Sequence, residues 1–281
     1  MLNAAYQSRR SVCQYMQHLF LGMLLVHNGV RLAMAAPLFT IILPTLNAAA
    51  KLPDTLASIL AQDSEFELLV VDGGSTDDTT DVVKRYAPDR RVRLDARPDT
   101  GIYDAMNRAI DLSRGRFLYF IGAGDSLERN VLLDVAANLP RPGRSLVYGN
   151  VFFPDGSVYD GEFWPGKFKR RNICHQAIFY ERTLFNEARF DLKYRTWSDW
   201  AFNMKCFGDS SVTKLYLAKV IARYEGGGLS MRAPDPAFVA DHPQLVRRYL
   251  GRLQYAKLKA TPHIEQLRRF TGNARVSRHA S

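Results

Sequence analysis

The first regular pattern of apolar and polar positions begins at residues 39–43 (FTIIL), which are apolar or β-branched without interruption. A run of that kind predicts a strand covered on both faces. Pro44-Thr45-Leu46-Asn47 ends it, and Leu52, Leu56, Ile59 and Leu60 then recur at helical spacing through residues 51–62. Residues 67–71 (ELLVV) predict a second buried strand, 72–78 a turn, 79–86 a helix and 92–95 a third, short strand. Residues 102–113 read as a helix and 116–121 (RFLYFI) as a fourth strand. Strand and helix alternate, which predicts a mostly parallel α/β sheet flanked by helices.

The second half has a different rhythm. Residues 145–153 and 157–163 flank Pro154-Asp155-Gly156, a turn signal that predicts a hairpin. Residues 173–180 read as another strand, 199–207 as a helix and 212–224 as including a last strand. From Ala237 onward the pattern is helical and basic, and Pro243 and Pro262 each suit the first turn of a helix. The expected organisation is therefore an extension over residues 1–36, an α/β domain over 37–232 and a basic helical tail over 233–281. Within the domain, 37–125 would form a nucleotide-binding half and 126–232 an acceptor half.

Open parallel sheets bind ligands beyond the carboxyl ends of their strands. Three loops fall at such ends: 44–47, 72–78 and 122–125. Asp72 can accept from the N–H donors of a base, with Gly73 and Gly74 allowing close backbone approach. Equally, Asp72 and Ser75 can make the turn and cap the next helix. Asp125, after the fourth strand, can hold Mg²⁺ or Mn²⁺ bridging a diphosphate, or cap a helix starting near Leu127. The dinucleotide fingerprint GxGxxG is absent after the first strand, which argues against a nicotinamide enzyme.

With 281 residues, 47% of them apolar and 23% charged, the chain can build one substantial domain and is neither disordered nor a coiled coil. Its net charge of +10 suits an anionic partner, and charge alone does not choose among phosphate, membrane and nucleic acid. Cys13, Cys174 and Cys206 are odd in number and lack metal-type spacing, which reads as reduced thiols in a cytosolic protein. Residues 19–26 (LFLGMLLV) are too short a run to span a bilayer. Residues 1–33 read as an extension outside the fold, such as an upstream start codon would add.

The quoted residues together resemble the family 2 glycosyltransferases, which have the GT-A fold. The match runs through Thr40–Asn47, Leu56–Gln62, Glu67–Thr79, Gly101-Ile-Tyr-Asp-Ala-Met-Asn107, Gly115 and Phe120–Asp125, in order and in spacing. It spans roughly 37–230 and fades toward the end. The Gly101–Asn107 segment looks most like bacterial transferases of exopolysaccharide, O-antigen or colanic-acid type. The resemblance implies that Pro44, Thr45, Asn47, Asp72, Gly74 and Ser75 meet the nucleotide, and that Asp104 and Asn107 line the donor site. It implies that Asp125 holds the metal in a motif where Gly124 replaces the first acid. It further implies donor or acceptor contacts for His175, Gln176, Gly227 and Ser230.

Inverting transfer needs a base for the acceptor hydroxyl and a stabilised leaving diphosphate. Asp199 is the expected base, with Trp197 and Trp200 stacking on sugar rings and raising its pKa by desolvation. The competing reading makes Asp199 a helix cap and both tryptophans core residues. His175 reads as a ligand of diphosphate or acceptor, or as a packing residue on an apolar strand. Arg170 and Arg171 read as phosphate contacts or as a solvated loop.

From Arg247 to Arg278 there are nine Lys/Arg against one acid, Glu265. Leu245, Tyr249 and Leu253 recur at helical spacing, as do Ile264, Leu267 and Phe270. That pattern suits an amphipathic helix on an anionic membrane surface, or a helix pair packed on the domain. No nucleic-acid module accompanies the charge.

The expected activity is therefore transfer of a sugar from a UDP-, GDP- or dTDP-sugar to a hydroxyl of a glycan or lipid-linked acceptor. The expected place is the cytoplasm, peripherally at the inner face of the membrane. The alternatives are a catalytically silent nucleotide-sugar-binding protein and a nucleotidyltransferase, for which 44–47 lacks a basic phosphate loop.

Overall fold

The structure is a computed structural model that describes residues 36–159, 161–228 and 233–260. The start-codon reading, Leu19–Val26, Cys13, Pro262, Ser230 and the apolar positions 264, 267 and 270 lie outside the described residues. The chain divides into two compact units at Ala36/Pro37, and the second unit holds every described strand and helix.

One mixed sheet organises that unit. β1 (Phe39–Thr45) pairs in parallel with β2 (Phe66–Asp72) on one side and β4 (Phe117–Phe120) on the other, and β3 (Val92–Ala96) adds to β2 in parallel. Beyond β4 the direction reverses. β8 (Ile178–Glu181) runs antiparallel to β4 and to β6 (Ser145–Phe152), and β9 (Thr213–Arg223) lies parallel to β6. β5 (Ser126–Leu127) closes the far edge against β9.

The uninterrupted apolar character of β1 and β2 follows from cover on both faces. Ile41, Leu43, Leu68 and Val70 pack with Leu52, Leu56 and Ile59 of α1 (Leu52–Leu60). Ile42, Leu69 and Val71 point the other way, onto Met106, Ala109 and Ile110 of α3 (Ile102–Leu112). The short α2 (Thr79–Lys84) and α4 (Val131–Ala136) complete the helical layers. Gly115 permits one close approach, because a Cβ there would strike the Thr40 amide and stand 2.6 Å from the Phe39 carbonyl carbon. Gly115→Ala should therefore cost about 2 kcal/mol of stability by overpacking. Gly143→Ala is the control: the nearest atom to a Cβ there is 3.8 Å away. A urea melt showing equal midpoints for the two variants would refute this.

Several expected elements are corrected. The second arm of the hairpin is only β7 (Val158–Tyr159), paired with Phe152 and Val151. Cys174 and His175 do not lie on a strand: residues His175–Ala177 form a 3₁₀ turn, and β8 begins after it. Leu127 begins no helix. Pro243 lies inside α7 (Pro236–Leu245) rather than in its first turn, which holds Pro236. A proline there lacks the N–H that would bond the carbonyl four residues back, and the helix widens into a π-turn at Val246–Leu250. Gly251, at φ 91°, then starts α8 (Arg252–Lys259). The expected helix running continuously through Leu245, Tyr249 and Leu253 is therefore broken. The start of the tail packs on the domain: Phe238 is fully buried and stacks on Trp200 at 5.0 Å, whereas Leu253 is 66% exposed.

Candidate active site

The parallel register sets Thr45 opposite Asp72, so the loops after β1 and β2 leave the sheet at one edge. They are tied to each other. Asp72 accepts from Thr45 Oγ1 (3.0 Å), Ser75 Oγ (2.5 Å) and the amides of Gly74 (3.1 Å) and Ser75 (2.8 Å). Asn47, at φ 49°, accepts from Thr76 N (2.8 Å) while its own amide donates to Ser75 Oγ (2.8 Å). Four donors fill the acceptor capacity of a carboxylate. Asp72 thus ties the turn together through all four of these bonds. It caps no helix, because Asp77 serves the first amide of α2 instead.

The corner still has an acceptor with spare capacity, and sequence reasoning missed it. Asp99 accepts from Gly101 N at 2.9 Å, and a Cβ on Gly73 would strike its other oxygen. Burial pushes its carboxyl above the usual range, with Gly101's amide opposing. Leu46, 60% exposed, and Pro44 supply apolar surface in the loop after β1. Asp104 and Asn107 organise this region from α3. Asp104 accepts from Thr100 N and Oγ1, both at 2.9 Å, and Asn107 grips the Phe190 backbone at 2.8 and 3.0 Å. With both polar ends spent, Asn107 lines the region as a clamp.

Asp125 ends the loop after β4 and is buried. The two-residue pairing of β5 with β9 brings Glu225 beside it, and Glu225 N donates to Asp125 Oδ1 at 2.9 Å. Gln176 Nε2 donates to the other oxygen at 2.6 Å, while Gln176 Oε1 accepts from Cys174 Sγ at 2.8 Å. Burial raises the Asp125 pKa, against those hydrogen bonds and the charge of His175. Gly124 sits at φ 103°, and a Cβ there would lie 3.4 Å from the Lys51 side chain and 3.6 Å from Glu225. Gly227, at φ 72°, is on the exposed loop beyond Glu225.

With donors from Glu225, Gln176 and Gly122, the Asp125 carboxylate keeps acceptor capacity for a cation, and hard oxygen donors suit Mg²⁺ or Mn²⁺. Among the described residues, no group of three His, Cys, Asp or Glu side chains could hold a metal ion unaided. The residues therefore fit an ion held by Asp125 together with phosphate oxygens and water, since Mg²⁺ is usually held by few protein ligands.

Asp199 lies in the first turn of α6 (Ser198–Gly208) and not at its cap, which is Trp197. The capping alternative is thereby excluded. Its oxygens accept from Tyr103 Oη and Asn172 Nδ2, each at 2.6 Å. Asn172 Oδ1 accepts from Asn203 (2.9 Å), whose own oxygen accepts from Tyr180 Oη (2.9 Å). Neither Tyr103 nor Asn172 carried a sequence signal for this role. Desolvation raises the Asp199 pKa, opposed by His175's charge and by the Tyr103 and Asn172 bonds. His175 thus stands within electrostatic reach of both Asp125 and Asp199.

The stacking role expected of the tryptophans is corrected. Trp197 and Trp200 are buried, meet edge to face at 5.7 Å, and Trp200 Nε1 donates to Phe168 O at 2.9 Å. Phe238 occupies their remaining ring surface, so they desolvate the Asp199 segment as core residues and offer no face to a sugar.

The family model for "Glycosyl transferase family 2" matches residues 40–209. This chain belongs to glycosyltransferase family 2. A PGL/p-HBAD biosynthesis glycosyltransferase of Mycobacterium tuberculosis is 45% identical over 227 residues, covering 76% of this chain and 87% of the relative. Chondroitin synthase of Pasteurella multocida is 30% identical over 155 residues, 53% of this chain and 16% of that one. Among solved structures, S. aureus TarS 1-349 with UDP-GlcNAc superposes with a TM-score of 0.59 at 19% identity, covering 83% and 79% of the two chains. Mannosyltransferase PcManGT of Pyrobaculum calidifontis, with GDP-Man and Mn²⁺, gives 0.56 at 17% identity, covering 86% and 80%. The glycosyltransferase thus has the GT-A fold expected of it, and no helix among its described residues is long and apolar enough to cross a membrane.

Proposed function

We propose that this glycosyltransferase moves a sugar, with inversion, from a UDP-, GDP- or dTDP-sugar to a hydroxyl of a glycan or lipid-linked acceptor in cell-envelope polysaccharide or glycolipid assembly. The observation that carries the reading is that two buried carboxylates, Asp125 and Asp199, are held by one short segment, Gln176 donating to the first and Asn172 to the second. Asp125 belongs to the donor side, and Asp199 is the candidate base. The relatives' names support the acceptor class, and neighbours holding UDP-GlcNAc and GDP-Man support a nucleoside-diphosphate donor.

In this reading the base of the nucleotide rests against Pro44, Leu46 and the Gly73–Gly74 backbone, with Asp99 as the acceptor for its N–H. Thr45, Asp72, Asn47 and Ser75 shape that corner from behind. Asp125 would hold Mg²⁺ or Mn²⁺, which when bound would supply charge stabilisation to the departing diphosphate. Gln176 and the Glu225 amide aim the Asp125 carboxylate. His175 and Gly227 complete the diphosphate side. Asp199 takes the acceptor proton, and its raised pKa makes it a stronger base than an exposed carboxylate. The enzyme works on the cytoplasmic side of the membrane.

Calorimetry with UDP, GDP and dTDP, each with and without Mn²⁺, tests the donor site. One nucleotide should bind with a metal-dependent gain in affinity. Absence of binding by all three would sink the assignment.

A further inference from the structure

The strap between β7 and the 3₁₀ turn meets the C-terminal helices on the outside of the molecule. Residues 163–172 carry four Lys/Arg and no acid, and residues 242–260 carry five and no acid. The two stretches are neighbours. A Cβ on Gly166, in α5 (Pro165–Phe168), would lie 3.1 Å from Trp164 Nε1 and 3.5 Å from Gln254 of α8. Arg247, Arg248 and Arg252 line one open cavity beside them. No carboxylate pairs with any of these three arginines, nor with Lys169 or Arg170, among the described residues. Lys169 is only 7% exposed, and its neighbours Arg170 and Lys257 have the same sign. A cation enclosed among cations is unfavourable unless an anion joins it. Asp160 and Glu162 precede the strap in sequence, and Glu162 is exposed at its edge.

The same surface shows apolar side chains to solvent. Trp164 is 59% exposed and Leu253 66%, whereas Trp197 and Trp200 are buried. Exposed Trp and Leu set among arginines match the interfacial region of a bilayer, where an amphipathic ring and an aliphatic chain enter the headgroup boundary and cations meet lipid phosphates.

We propose that this patch, formed by Trp164, Lys169, Arg170, Arg247, Arg248, Arg252 and Leu253, docks the enzyme on an anionic lipid bilayer. The strap also links the patch to the candidate base. Trp200 Nε1 holds its Phe168 carbonyl, and Asn172 at its end donates to Asp199. A lipid-linked acceptor would then meet the enzyme on the side from which Asp199 is held.

The test is co-sedimentation of the full chain with phosphatidylcholine vesicles, with and without about one-third phosphatidylglycerol, since each cation near such a surface is worth roughly fivefold in binding. The chain should bind the anionic vesicles and not the neutral ones. Arg247→Glu/Arg248→Glu/Arg252→Glu should lower binding by more than 100-fold by that same arithmetic. Trp164→Ser/Leu253→Ser should weaken it without changing its salt dependence. Brominated lipid should quench the wild-type tryptophan emission and leave that of Trp164→Phe unchanged. Equal binding to neutral vesicles, absence of binding, or full binding by the triple variant would overturn the proposal. Nucleotide calorimetry on the same variants checks their folding, and because vesicle binding is read without donor, its failure would leave the proposed function standing.

Discussion

Asp199→Asn should lower kcat by about 10²- to 10⁴-fold, the range a positioned base contributes, while nucleotide binding stays unchanged. The substitution fits the site. Tyr103 Oη lies 2.9 Å from Thr196 O as well as 2.6 Å from Asp199. Its proton can turn to Thr196, leaving the phenol oxygen to accept from the new carboxamide, whose oxygen still accepts from Asn172. A kcat within threefold of wild type would remove Asp199 as the base. The pH profile gives a second reading. A base works deprotonated, so activity should fall on the acid side through a pKa displaced upward by burial. Tyr103→Phe removes a hydrogen bond that holds that pKa down, so the acid limb should move to higher pH. A limb that stays in place would separate Tyr103 from the titrating group. The same shift acts on stability with a definite sign. Folding raises the pKa of Asp125 and Asp199, so the native state binds protons more tightly than the unfolded chain. Their charged forms therefore lower stability as pH rises through the raised values, and stability recovers as pH falls toward the unfolded carboxylate range.

The second large effect is expected at Asp125. Asp125→Asn should abolish the Mn²⁺-dependent gain in nucleotide affinity and lower kcat by about 10²- to 10³-fold, as loss of one charge-stabilising group does. The carboxamide carries no charge, and its NH₂ must face either Gln176 Nε2 or the Glu225 amide, both of which are donors. Binding measured without metal should change little. Calorimetry showing the same metal dependence in both proteins would take Asp125 out of the donor site.

The donor half was legible because its signals are local. Continuous apolar runs announced β1, β2 and β4, and Asp72 and Asp125 stood at their carboxyl ends for that reason. What the side chains there do was less legible, because a carboxylate at a strand end serves a turn or a ligand with the same residue type. The four donors around Asp72 show its use in the turn, which the residue type alone does not. The tryptophans misled for a related reason: an aromatic pair beside an acid has one appearance in sequence whether its faces are open or covered by Phe238. Tyr103, Asn172 and Asp99 escaped because their partners are distant or their role is a notch. Tyr103 reaches Asp199 across 96 positions, and Asp99 matters through the missing Cβ of Gly73. In the second half, strands of two to four residues such as β7 and β8 are too short to carry a period.

The bond from Glu225 to Asp125 joins residues 100 positions apart. During synthesis, therefore, the chain emerges with its nucleotide loops complete long before the clamp on Asp125 exists. A nascent chain stalled before β9 has Gln176 to bond one Asp125 oxygen but lacks the Glu225 amide on the other. Completion of the bonding around Asp125 waits for that strand, a closure of high contact order whose loop entropy must be met before the contact forms.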